Sequence, residues 1–300
     1  MPHKVLREWA FQMRSKELRE YGRTVLERDP TRVAASEVLD LMAYLIECDF
    51  IGAEAKIETI KYNFQNTSDE GYISEAISLA KAHIDFAFGR FDELEQSAHS
   101  FLDHHEHWPT IEKGEFLDIH RLLAQRAMFL DLHDELEKLH KDMKNYQTDT
   151  KSVNQLYLIN SVHASWVLVE GNFRKAEEIA KKNIEIAKQN NYSGLMAPLD
   201  SMFVLAASKK GQAKHLEAHQ KFYEVMELAK RLKQWPWYFM AEGLIVRDLA
   251  SENKMSEALT LIRNQRQMLL DFDFKHNLNF IPDINELYVR YLIRDLERIE

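Results

Sequence analysis

Five residues, Asp103-His104-His105-Glu106-His107, form the densest titratable cluster in this sequence. His104 and His107 stand three apart, a spacing at which two imidazoles on a helix can share a metal ion. The same run also reads as a solvated helix C-terminus, where histidine complements the helix dipole, and that is the reading adopted. A second pair, His215 and His219, stands four apart with Glu217 between them. This His-Leu-Glu-Ala-His order is not the zinc-protease arrangement, because its glutamate lies on another face of the helix. Trp235-Pro236-Trp237-Tyr238-Phe239 is the most aromatic segment, and proline is well placed in a first helical turn. Its rings are read as a seal between adjoining repeats, with an aromatic ligand wall as the competing reading; Trp108-Pro109 is read the same way. Lys209, Lys210, Lys214, Lys221, Lys230, Arg231 and Lys233 read as a solvated outer face more readily than as a patch for an acidic partner. The single cysteine, Cys48, excludes a disulfide framework and a cysteine-built zinc site, and reads as a packing residue. There is no nucleophile elbow, no glycine-rich phosphate loop and no catalytic carboxylate pair. No catalytic residue, metal ligand or cofactor is assigned.

The elements that position these residues follow from composition. Of 300 residues, 45% are hydrophobic and 29% charged, and only 9 are glycine and 6 proline. Glycine and proline thus make up 5% of the chain, against a usual share of roughly 12%. So few turn-formers cannot serve the many tight turns of a sandwich or barrel; long helices with short loops are expected. The net charge of −9 argues against a general nucleic-acid binder. The N-terminus lacks an apolar signal core, and no stretch reaches the ~20 apolar residues of a membrane span. A soluble, cytoplasmic protein is expected.

A short pattern recurs: a small or polar turn residue, an aromatic or apolar residue two later, and alanine or leucine three after that. The clear copies are Gly89-Arg-Phe91-Asp-Glu-Leu94, Gly171-Asn-Phe173-Arg-Lys-Ala176 and Asn253-Lys-Met255-Ser-Glu-Ala258. Weaker copies begin at Cys48, Asp131 and Gly211, giving steps of 41, 42, 40, 40 and 42 residues. The turn residue ends one helix in a left-handed conformation, the aromatic staples the turn, and the alanine lets the next helix approach. Each unit is then a helical hairpin, with rods of about 17 residues and ~26 Å.

The expected order is an opening helix over 4–28, then pairs at 31–47 with 50–65, 70–88 with 91–106 and 110–130 with 132–146. Pairs at 150–170 with 173–190, 195–209 with 213–232 and 236–251 with 255–271 follow. A loop over 271–282 and a closing helix over 283–299 end the chain. Nothing divides it, so a single domain over 1–300 is expected. The expected fold is an all-α, right-handed superhelical solenoid of about six antiparallel helix pairs with N- and C-terminal capping helices.

Gly171-Asn172-Phe173-x-x-Ala176 resembles the Gly-Asp-Tyr-x-x-Ala turn of tetratricopeptide repeats, with a period of about 41 residues in place of 34. Lengthened repeats of this kind are similar to the sensor superhelix of the maltose-regulon activator and other LuxR-type bacterial regulators, and to peptide-sensing Rap-like and PlcR-like receptors. The resemblance implies that the first helix of each pair lines a concave face. Counting back from each turn by the tetratricopeptide spacing puts His83, Arg121, Gln125, Asn160, Ser161, Ser165 and Arg247 there as partner-binding candidates. Arg121 and Arg247 suit a carboxylate, and Asn160 an extended peptide backbone. Alanine at Arg121 or Asn160 is expected to weaken partner binding and leave thermal stability nearly unchanged. The implied role is a non-catalytic protein- or peptide-binding scaffold in bacterial signalling or regulation. The alternative is a ligand- or peptide-sensing regulator subunit whose superhelix changes shape and acts on a separate output protein. No direct nucleic-acid or membrane partner is expected, and the oligomeric state stays open. The ATPase and DNA-binding modules of those regulators have no counterpart in the sequence, so the output is expected on another chain.

Overall fold

In the computed structural model, residues 15–105, 113–145, 153–192, 194, 197–271, 278 and 280–297 are described. They form fourteen α-helices and no strand. These are α1 (Ser15–Arg28), α2 (Val33–Ile46), α3 (Phe50–Phe64), α4 (Glu70–Ala87), α5 (Phe91–His105), α6 (Lys113–Phe129) and α7 (His133–Asn145). They continue as α8 (Val153–Val169), α9 (Phe173–Gln189), α10 (Leu199–Gly211), α11 (His215–Arg231), α12 (Trp235–Ser251), α13 (Met255–Asp271) and α14 (Phe280–Glu297). Six antiparallel pairs, α2/α3 to α12/α13, lie between α1 and α14.

Each pair turns by the same device. Cys48, Gly89, Asp131, Gly171, Ala213 and Asn253 have φ of 53°, 67°, 59°, 76°, 58° and 64°. The next residue donates its backbone N–H to the carbonyl five residues back, at 2.8–3.1 Å in all six turns, from Asp49 to Tyr44 through Lys254 to Leu249. This bond satisfies a carbonyl that the helix end would otherwise strand. Two turns add a side-chain cap, Asp49 accepting from the Gly52 N–H at 3.1 Å and Asn172 from the Lys175 N–H at 3.3 Å. Five residues after each left-handed position stand Ala53, Leu94, Leu136, Ala176, Ala218 and Ala258, all fully buried.

The fifth copy of the repeat corrects the sequence register by two residues. The turn residue is Ala213, and Ala218 is buried while Leu216 is 89% exposed. Gly211 ends α10 and serves packing: a Cβ there would lie 2.5 Å from the Phe173 ring of the preceding repeat. Ala213→Gly is therefore expected to stabilise the protein by about 0.5–1 kcal/mol, by relieving the left-handed cost of a Cβ. Gly211→Ala should destabilise it by about 1–3 kcal/mol through overpacking. Urea denaturation of both variants checks the pair of signs; the reverse order would restore the original register.

The C-terminal end also differs from expectation. α14 begins at Phe280, before Pro282, because a proline in the first turn lacks only an N–H that has no helical acceptor. The part of the opening helix assigned to 4–14, most of the loop over 271–282, His107 and Trp108-Pro109 lie outside the described residues.

First helices pack on first helices in the order α2, α4, α6, α8, α10, α12, α14, while each second helix packs against its sequence neighbours. The row also closes, since α12 returns to contact α4. The joint is aromatic. Trp237 on α12 stands 6.3 Å from Phe86 on α4, 4.6 Å from Phe129 on α6 and 5.2 Å from Phe203 on α10, between ring centroids. The Trp-Pro-Trp-Tyr-Phe segment thus seals the inside of the superhelix across several repeats, beyond the single joint expected of it.

Candidate functional site: a polar cluster on the inner wall

Beside this aromatic joint the first helices gather charged groups that a solenoid core does not need. His83 on α4 places Nε2 3.0 Å from Asp118 Oδ2 on α6. Arg121, one turn along α6, donates to Asp118 Oδ1 through Nε at 3.0 Å and Nη2 at 2.7 Å. Its Nη1 lies 3.7 Å from Asp200 Oδ2 on α10. Asp200 further accepts from Gln125 Nε2 at 3.0 Å, from the Ser161 hydroxyl on α8, and from the Ser201 N–H at 2.6 Å. Four first helices are tied through two carboxylates.

Burial alone would raise the pKa of Asp118. The charges and hydrogen bonds of Arg121 and His83 outweigh it and hold the carboxyl below the usual aspartate range. Burial opposes the charge of Arg121, and Asp118 and Asp200 overcome it, so its pKa is raised. Burial pushes the Tyr157 phenol well above its ordinary value. Asp118 and Arg121 are therefore held as an ion pair at neutral pH. The void bounded by His83, Arg121, Gln125, Asp200, Gln234 and Trp237 holds only about 10 Å³ of free space, the order of one water molecule. Gln125 Oε1 faces no hydrogen-bond partner among the described residues, nor does Asn160 Nδ2 on α8.

The candidates chosen from sequence divide accordingly. His83, Arg121, Gln125 and Ser161 converge. Ser165 stands a turn further along α8 and donates to the Ser161 carbonyl at 3.2 Å. Asn160 is half-buried nearby on α8. Arg247 belongs to a different neighbourhood, donating from α12 to Asn285 Oδ1 on α14 at 3.1 Å. The expectation of an open surface is corrected: His83, Arg121, Gln125, Ser161 and Ser165 are each at most 6% exposed. The physical reason is the return of α12 to α4, which fills the inside with side chains. Asp118 and Asp200 escaped the sequence reading. Their signals were present: Asp118 stands three before Arg121, and Asp200 interrupts an otherwise apolar run from Leu199.

Other residues singled out earlier take structural roles. Cys48 is buried at its turn, and burial pushes its thiol up to about 12 despite the charge of Lys233, so it stays protonated. Lys209 pairs with Glu177 and Glu217, Lys210 with Asp248, and Lys221 with Glu224, which divides the basic run among carboxylates. His219 binds Asp248 at 2.9 Å while His215 is exposed. The sequence reading passed over a stacked pair, His140 and His163, whose ring nitrogens lie 2.9 Å apart. Burial, with the neighbouring His163, pushes His140 down to about 4 and leaves it neutral at pH 7. No group of three or more histidine, cysteine, aspartate or glutamate side chains among the described residues is placed to hold a metal ion. No helix among them is long and apolar enough to cross a membrane.

Glu242 on α12 gives a measurable handle on inner-wall electrostatics. Burial raises its pKa from 4.5 to about 7, against hydrogen bonding from Gln265 and a weak bond from the Tyr238 hydroxyl at 3.4 Å. The folded state holds the proton longer than the unfolded chain, so stability falls as pH rises from about 4.5 to 7. Glu242→Gln is expected to stabilise the protein at pH 8 by on the order of 2–3 kcal/mol. The gain should fade toward pH 4.5 in denaturation curves; a gain independent of pH would assign the effect to packing.

No protein-family model matches this chain, and no curated protein does. Among solved structures, a Rap protein complexed with competence and sporulation factor matches with a TM-score of 0.65 at 10% identity. The match covers 98% of this chain and 85% of that one. Aspartyl phosphate phosphatase F from Bacillus subtilis aligns over 98% of this chain and 82% of its own, at 9% identity and a TM-score of 0.41. At such identity the first likeness is one of fold: this chain is an all-α, right-handed superhelical solenoid of tetratricopeptide-like helix pairs, similar along nearly its whole length to the Rap protein.

Proposed function

We propose that this chain is a non-catalytic scaffold in bacterial signalling or regulation that binds a protein or peptide on the inner wall of its superhelix. The observation that carries this reading is the buried, hydrogen-bonded cluster of His83, Asp118, Arg121, Gln125 and Asp200, assembled from α4, α6 and α10. Well-packed apolar side chains hold a core at least as well as buried ion pairs, so stability alone does not account for it. The fold neighbour is itself complexed with competence and sporulation factor. The recognition residues are His83, Arg121, Gln125 and Ser161, with Asn160, Ser165 and Arg247 flanking them. Photo-crosslinking of the full chain to a captured partner, with the sites mapped by mass spectrometry, tests the assignment. Crosslinks on α4, α6, α8 or α12 support it; crosslinks confined to α5, α7, α9 and α11 overturn it.

The sealing of the cluster favours a second reading within the same frame: a sensor whose superhelix changes shape on binding and acts on a separate output protein. This is the behaviour implied by the resemblance to the maltose-regulon activator and LuxR-type sensors. A partner reaches the cluster only when the contact of α12 with α4 parts. A radius of gyration that shifts on partner binding supports this reading; an unchanged one returns the protein to a rigid scaffold.

A further inference from the structure

Helix α14 has two apolar faces. One, with Ile281 and Val289, is buried against α12 and α13. The other runs Ile284, Leu287, Tyr288 and Tyr291, a spacing that sets all four on one side of a helix. These side chains are 47%, 68%, 36% and 62% exposed. α14 stands as a seventh first helix, packed on α12 as α12 packs on α10. Among the described residues no second helix covers it, and a stripe of four large apolar side chains is displayed instead.

The charges beside the stripe indicate what covers it. Asp283 and Arg290 stand seven residues apart along one edge of the helix. Arg266 Nη2 lies 2.8 Å from the exposed Asp283, and the exposed Arg290 places Nη2 2.6 Å from Glu286, which is half-buried and also pairs with Arg266. Surface pairs of this kind exchange at little cost. An antiparallel copy of the same helix would bring Asp283 beside Arg290 twice, whereas a parallel copy would place the two charged edges on opposite sides of the contact. A two-fold axis between Leu287 and Tyr288 brings Leu287 onto Tyr288 of the second copy and Ile284 onto its Tyr291, each contact occurring twice, and leaves Asp283 about 3 Å along the helix from Arg290 of the second copy, within the reach of a guanidinium. One surface thus supplies both halves of its complement.

We infer that the α14 stripe is a self-association surface, on which two copies of this chain dock antiparallel through Ile284, Leu287, Tyr288 and Tyr291, with Asp283 and Arg290 fixing the direction. A contact built on one helix per copy lies at the small end of specific interfaces, so the dimer has roughly micromolar affinity. Sedimentation equilibrium of the full chain over a wide concentration range reads it directly. The expected result is a monomer–dimer equilibrium in which Leu287→Glu raises the dissociation constant about tenfold or more. Asp283→Arg and Arg290→Asp should each weaken the dimer, and the double exchange should restore it. Leu287 is exposed and its variant should melt as the wild type does; Tyr288→Lys provides the same reading if it does not. A monomer at every concentration, or a dimer indifferent to both stripe variants, overturns the inference. A dimer that the stripe variants break but the double exchange fails to restore overturns the antiparallel arrangement.

Discussion

Replacing Trp237 with alanine is expected to destabilise the protein by about 3–5 kcal/mol, the usual cost of emptying a buried indole site. The magnitude rests on what the ring holds together. It is buried among Phe86, Phe129 and Phe203, which arrive from α4, α6 and α10. Each second helix is tied to its sequence neighbours, whereas this indole joins parts of the chain roughly 150 residues apart, Phe86 and Trp237. Its loss should therefore do more than leave a cavity. The contact of α12 with α4 should open, with a larger radius of gyration by X-ray scattering and faster hydrogen exchange in both helices. Trp237→Phe keeps an aromatic ring in the joint and should cost less than half as much. A loss below about 1 kcal/mol for the alanine variant, the scale of an ordinary surface substitution, would show that the solenoid does not depend on its closure.

Arg121→Ala should be comparably severe, about 3–5 kcal/mol, because removing one partner of a buried ion pair strands the charge of the other. Asp118 would then keep only His83, and Asp200 only the neutral donors Gln125, Ser161 and the Ser201 N–H. This replaces the sequence-based expectation that alanine here leaves stability nearly unchanged. Arg121→Lys restores the charge without the forked hydrogen bonds and should recover part of the loss. The pH dependence provides a second check. Asp118 has a lowered pKa when folded, so the unfolded chain takes up its proton first. The contribution of Asp118 is present above the ordinary aspartate pKa and is lost as pH falls from about 4 through its lower folded value. Wild-type stability should drop over that acid range, and the drop should be shallower in Arg121→Ala. Identical slopes in the two proteins would separate Arg121 from Asp118 energetically.

The repeat was legible because its signals are local. A left-handed turn position favours glycine, asparagine or aspartate, although Cys48 and Ala213 also hold it here, and close helix packing needs alanine or leucine five later. Those requirements recur wherever the chain makes the same turn, as at Gly89, Gly171 and Asn253. The register slipped at Gly211 because glycine meets two different demands. It permits left-handed backbone, and it also makes room for a neighbouring ring, which is its service to Phe173. Local sequence does not distinguish the two.

The inner wall was half legible. Polar residues on the first helices stood out against an apolar background, which brought His83, Arg121, Gln125 and Ser161 forward. Their carboxylate partners sit on other helices, as far away as Asp200 from Gln125, and nothing in a local window pairs them. His140 and His163 likewise meet only across the joint of α7 and α8.

By itself the sequence determined an all-α chain of helix pairs, the place of nearly every turn, and the absence of disulfide chemistry. All of these follow from propensity, capping and periodicity within about 40 residues. The tertiary structure alone decided how far the superhelix curls. Curvature is the sum of small rotations between successive pairs, and no single turn records that sum. Because the rotations bring α12 onto α4, side chains expected in open solvent became a buried, ion-paired interior.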